Sequence, residues 1–184
     1  MPNLETPRNR ALGDAAIEQF EAVLTLKPDD KVAIEQEASV YRNLARFDEA
    51  KAAEVRALRV DPENPAVPYT IGVIDWQQAY KNAAAILAKA GLKDDGVGNS
   101  SKGGEACAAL QTQNAAWLAD AIANLTRAIE LKPDYSDAMT YLSLVYRRRA
   151  DLHCFDPVSV KADIDLAETW AQRAKDARVH ASAP

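Results

Sequence analysis

Three short segments close an apolar-periodic stretch in the same way: Leu26-Lys27-Pro28-Asp29-Asp30, Val60-Asp61-Pro62-Glu63-Asn64 and Leu131-Lys132-Pro133-Asp134-Tyr135. Proline has no backbone N–H and clashes with the preceding turn, so each segment ends a helix. The Asp or Asn that follows can cap the next one, as Asn64 would ahead of Pro65 at a first helical position. Pro28 and Pro62 stand 34 residues apart and Pro62 and Pro133 stand 71 apart, which reads as a second period lengthened by an insertion of 37 residues. A fixed period of this size constrains the fold more than any local feature, because each unit must bury its apolar face against its neighbours.

The chain of 184 residues is 48% apolar and 27% charged, with only 7 Gly and 3 Phe. It can bury a core, and its bias toward helix formers predicts an all-α domain. A net charge of -5 gives no general attraction to phosphate backbones or anionic bilayers. No stretch approaches the roughly 20 apolar residues that span a bilayer, so neither nucleic acid nor membrane insertion is expected. The leading Met1-Pro2-Asn3-Leu4-Glu5 lacks the basic-then-apolar run of a secretory signal.

Residues at fixed distances before the prolines sharpen the repeat. Ala16, Ala50 and Ala121 stand twelve before them, Val23, Ala57 and Ala128 five before, and Phe20, Glu54 and Leu125 eight before. On the partner helices Ala38, Gly72 and Ser143 hold a small-residue position, and Tyr41 and Tyr146 an aromatic one. This pattern resembles the tetratricopeptide repeat (TPR), with Glu54 a departure where an aromatic residue is usual. The resemblance covers nearly the whole chain and is to small bacterial TPR proteins. It implies a right-handed α-α superhelix of helical hairpins near 13–30, 31–64, 65–135 and 136–180, the third enlarged. Residues 1–12 are expected as a flexible leader to a single domain over 13–184, and the first repeat shows only its second helix. An edge left uncovered by the missing helix would suit a homodimer.

The enlarged hairpin tip, Gly91 to Gly104, holds five of the seven glycines. Its Gly-rich run lacks the Gly-Lys-Ser/Thr order of a phosphate-binding loop and reads as a hairpin tip. Asp151, His153, Cys154 and Asp156 are the one cluster mixing imidazole, thiol and carboxylate. Adjacent helical residues diverge by about 100°, so His153 is badly placed to activate Cys154, and no enzyme and no cofactor are expected. A thiol- or metal-dependent ligand site around Cys107, His153 and Cys154 is the alternative function. Cys107 and Cys154 can also meet at the tip edge as a disulfide, since Cys107 lies 14 residues before Ala121, roughly 20 Å along its helix. Bonded, they fit an exported or periplasmic protein; reduced, they fit the cytoplasm.

In TPR proteins the first helix of each hairpin lines a concave groove. The resemblance therefore points to a non-catalytic module that binds a peptide or protein segment through Arg42, Asn43, Tyr69, Trp76, Tyr80, Tyr141 and Arg147. Aromatic and Arg side chains are the ones enriched in binding hot spots. The basic and Asn residues with which some TPR domains clamp a C-terminal carboxylate do not match as a set.

Overall fold

The computed structural model describes residues 6–95 and 104–181. Every regular element among them is a helix: α1 (Pro7–Leu26), α2 (Lys31–Asn43), α3 (Phe47–Val60), α4 (Ala66–Lys89), α5 (Gly104–Leu131), α6 (Ser136–Ala150) and α7 (Pro157–Ala181). Each packs on the next in sequence, and α4 also touches α6. The fold is a stack of antiparallel TPR-like hairpins, with α4 and α5 forming the enlarged one. No described helix is long and apolar enough to cross a membrane.

Local chemistry sets the boundaries. At the first proline turn the Lys27 amide donates back to Val23 O at 2.8 Å, and Asp30 then caps α2 by accepting from the Ala33 amide at 3.0 Å. Asn64 Oδ1 accepts from the Ala66 amide at 3.0 Å and starts α4 in the same way. Between α2 and α3, Ala45 takes the left-handed conformation (φ 56°) and the Arg46 amide reaches Tyr41 O at 2.9 Å. That is the helix-ending geometry glycine normally supplies.

α1 begins six residues before the sequence reading places it. Thr6 Oγ1 accepts from the Asn9 amide at 3.2 Å and Pro7 occupies the first turn, where its missing N–H costs nothing. Residues 7–12 of the expected leader are thus helical. α7 starts at Pro157, because Asp156 caps it by accepting from the Val158 and Ser159 amides, both at 3.1 Å.

α4 is the shared wall of the core. Val67, Ile71 and Ile74 pack toward α1, α2 and α3, while Ala79, Ala83 and Leu87 join Leu110, Leu118, Leu125, Leu142 and Val145 of α5 and α6. A helix buried on opposite sides reads as apolar nearly all round. Gly72 permits the closest crossing: a Cβ there would lie 2.6 Å from Leu125 Cγ and 3.2 Å from Ala121 O. Higher in the hairpin, buried Asn114 donates to Ala79 O at 2.9 Å and accepts from Asn82 at 2.7 Å. These bonds tie the two long helices together through a polar pair that an apolar core would otherwise leave unsatisfied. At the other end of the stack the outer side of α1 leaves Leu12 and Leu26 exposed.

Candidate functional site

The aromatic residues of α4 and α6 converge. Tyr69, Trp76 and Tyr80 stand at i, i+7 and i+11 along α4 and so share one face. Trp76 stacks on Tyr80 with centroids 5.3 Å apart and meets the edge of Tyr141, from α6, also at 5.3 Å. Tyr69 contacts Tyr141 at 5.8 Å and Tyr135, in the turn before α6, at 4.9 Å. Burial, reinforced by Tyr141 and Tyr135, pushes the Tyr69 hydroxyl up to about 12. It is therefore a neutral hydrogen-bond donor at any ordinary pH. Trp76 stays half-buried and Tyr80 is 45% exposed, so the cluster presents a continuous aromatic surface rather than a sealed core.

Charged groups frame it. Arg42 of α2 lies near both Tyr69 and the Glu54 carboxyl and lowers the pKa of each, but burial dominates at Glu54 and raises it to about 7. Glu54 is 7% exposed and makes no hydrogen bond to any described residue. Glu35, on the same side of α2, adds to the upward shift. At the far end Arg148 is buried against the Tyr80 ring, 5.3 Å from its centroid. It donates to Asp151 at 2.8 Å and to Asp94, just past α4, at 2.6 Å. Arg147 is half-buried at the preceding position of α6. Of the expected groove residues, Tyr69, Trp76, Tyr80 and Tyr141 come together and Arg42 adjoins them. Asn43 is exposed at the last residue of α2, and Arg147 of α6 is half-buried and makes no contact with the rings. Tyr135 extends the ring cluster, while the buried Glu54 lies near Arg42 and the buried Arg148 lies against Tyr80. Tyr135 and Glu54 escape a reading based on the first helices, because one lies in a turn and the other on α3.

At the hairpin tip the sulfurs of Cys107 and Cys154 are joined, with Cα atoms 5.7 Å apart. Neither carries a thiol in this state. His153 turns away from them, its Nε2 lying 2.8 Å from Asp163 Oδ2 on α7, and Arg149 pairs with the same carboxylate through Nε at 2.9 Å. The His and Cys side chains that the alternative site would combine are thus engaged in separate contacts. No group of three or more His, Cys, Asp or Glu among the described residues is arranged to hold a metal ion. The glycine-rich run 96–103 lies outside the described residues.

A family model described as tetratricopeptide repeat matches residues 33–64, the span of α2, α3 and the proline turn after them. Residues 33–64 thus match the tetratricopeptide repeat. Solved TPR structures align along almost the whole chain. MamA is 16% identical, covering 99% of this chain and 98% of that one, with a TM-score of 0.36. YrrB, titled a TPR protein with an unusual peptide-binding site, is 18% identical, covering 93% and 86%, with a TM-score of 0.34. A double mutant titled MamA RS-1 ArsTM is 14% identical, covering 94% and 88%, also at 0.34. No curated protein matches the chain.

Proposed function

We propose that this chain is a non-catalytic interaction module that binds a peptide or protein segment on the face formed by α2, α4 and α6. One observation carries the reading: Tyr69, Trp76, Tyr80 and Tyr141 pack edge and face into a surface that remains half-open to solvent. Rigid aromatic side chains lose little conformational entropy on contact and supply large apolar area. The stacked hairpins hold them in place beforehand, so the partner segment bears most of the ordering cost. The TPR over 33–64 supports the same role. Selection from a random peptide display library, followed by titration of a selected peptide, tests it. Trp76→Ala and Tyr80→Ala should each weaken binding at least tenfold while the helical circular dichroism is unchanged. Peptides that bind both variants as they bind the parent protein would place the interaction elsewhere.

A further inference from the structure

The repeat register brings three residues into one row. Trp76 follows Arg42 by 34 residues, the Pro28–Pro62 interval, and Arg147 follows Trp76 by 71, the Pro62–Pro133 interval. They therefore hold the same position on the first helices of three successive hairpins, α2, α4 and α6, and line up across the groove as Arg, Trp, Arg. The carboxylates beside the row are accounted for. Glu35 lies 4.0 Å from Lys31, and Asp137 lies 3.5 Å from Arg178. Glu54 is buried and its pKa is raised to about 7, so it carries only part of a full charge near neutral pH. Arg42 and Arg147, by contrast, make no hydrogen bond and no ion pair with any described residue, although both are half-buried. Holding two guanidiniums partly desolvated with no hydrogen-bonded carboxylate, and with only the partly charged Glu54 near Arg42, is unfavourable, and an anion placed over them would relieve it. The local charge is therefore complementary to an acidic ligand even though the whole chain is acidic.

Spacing sets the length of that ligand. α4 packs on α6, and α2 meets α4 through the side chains of Ile34 with Ile71 and Tyr41 with Ile74; at about 10 Å for each interval the guanidiniums lie roughly 20 Å apart, which an extended chain rising about 3.3 Å per residue crosses in about six residues. Resting on the groove assignment above, we infer that the groove selects an extended acidic segment whose carboxylates, about six residues apart, pair with Arg42 and Arg147 while an apolar residue between them lies on Trp76. Arg suits this role because its planar fork takes a carboxylate with two parallel hydrogen bonds.

Three fluorescein-labelled peptides with one common Pro- and Leu-containing centre test the inference, carrying Glu, Gln or Lys at both ends of a six-residue interval. The Glu peptide should bind at least tenfold tighter than the Gln peptide at low ionic strength, with the gap narrowing as salt is added. Arg42→Gln and Arg147→Gln should each reduce its affinity about fivefold and leave the Gln peptide unaffected. Trp76→Ala should weaken both peptides. Equal binding of the Glu and Gln peptides, with both lost in Trp76→Ala, would overturn the acidic preference and leave the groove standing. Tighter binding of the Lys peptide overturns it as well. Binding by none of the three also rejects the acidic segment, and the groove assignment is then decided separately by the display selection.

Discussion

Arg148 Nη2 donates to Asp94 Oδ2 at 2.6 Å, joining the middle of the fourth hairpin to the chain just beyond α4. Its other terminal nitrogen holds buried Asp151 at 2.8 Å, and the guanidinium covers the Tyr80 ring. One side chain thus ties the tip of the enlarged hairpin, the end of α6 and the edge of the aromatic surface. Breaking a buried ion pair by removing one side chain costs about 3 kcal/mol or more. Arg148→Met should therefore lower the urea midpoint of unfolding by about that free energy with an unchanged slope. Arg147→Met, one residue away and without an ion pair among the described residues, should shift it by less than about 0.5 kcal/mol. Similar losses for the two variants would show that the pairing carries no stability.

The Cys107–Cys154 bond closes a loop of 47 residues between the first turns of α5 and the α6–α7 connection. Constraining an unfolded loop of that length stabilises the folded chain by about 4 kcal/mol in the entropic account. Reductant should lower the melting temperature by several degrees, and the Cys107→Ala/Cys154→Ala double variant should melt at the reduced temperature whether or not reductant is present. Because Cys107 is fully buried, reduction under native conditions should be slow and limited by opening of the tip. Alkylation that labels two thiols in an unreduced sample would contradict the bond.

Much of this architecture can be read from side-chain types alone. The three proline turns locate the ends of α1, α3 and α5 and the starts of the helices after them, and Gly72 and Ala121, picked out by their place in the repeat, do meet at the tight α4–α5 crossing. Less accessible is what depends on direction around a helix. Arg147, Arg148 and Arg149 are consecutive, yet each points about 100° from the last: Arg148 inward to Asp94 and Asp151, Arg149 to Asp163 on α7, and Arg147 to neither. Only packing chooses which of the three is buried. The start of α1 is written in Thr6-Pro7, but apolar periodicity begins later and draws the boundary inward. The aromatic surface follows from the first-helix positions of α4 and α6, whereas Tyr135 reaches it from a turn that periodicity does not describe.

Two small-residue exchanges should have opposite signs. Ala45 holds φ 56° at the α2–α3 turn, a conformation that costs a residue with a Cβ about 1 kcal/mol. Glycine there loses part of that gain through its freer unfolded chain, so Ala45→Gly should stabilise by roughly 0.5 kcal/mol. Gly72→Ala should destabilise by about 2 kcal/mol, since the new methyl would press on Leu125 Cγ and the Ala121 carbonyl of a packed core. Chemical denaturation of both variants checks the pair. A neutral Gly72→Ala would mean that α4 and α5 can separate freely at this point.

Two buried carboxyls should make the fold more stable in mild acid than at neutral pH. Burial lifts Glu54 from 4.5 to about 7, and lifts Asp75 from 3.8 to about 6 although Lys51 Nζ lies 2.8 Å away and opposes the shift. Below its ordinary pKa each group is protonated in both the folded and unfolded chain, and no penalty applies. As pH rises, the unfolded chain ionises first while the folded one stays neutral, so stability falls until the folded pKa is passed. For Glu54 the fall spans about pH 4.5 to 7 and amounts to about 3 kcal/mol. Glu49 and Asp156, held low by their hydrogen bonds, act with the opposite sign, and their contribution is lost only as pH drops below about 4.5. The urea midpoint should therefore rise as pH is lowered from 8 to about 5 and drop again in stronger acid. Glu54→Gln should remove most of the rise between pH 5 and 7, and Asp75→Asn a smaller part of it near pH 4 to 6. A midpoint that is flat across pH 5 to 8 in the parent protein would mean that Glu54 ionises freely, and hence that it is not sealed between α2 and α4.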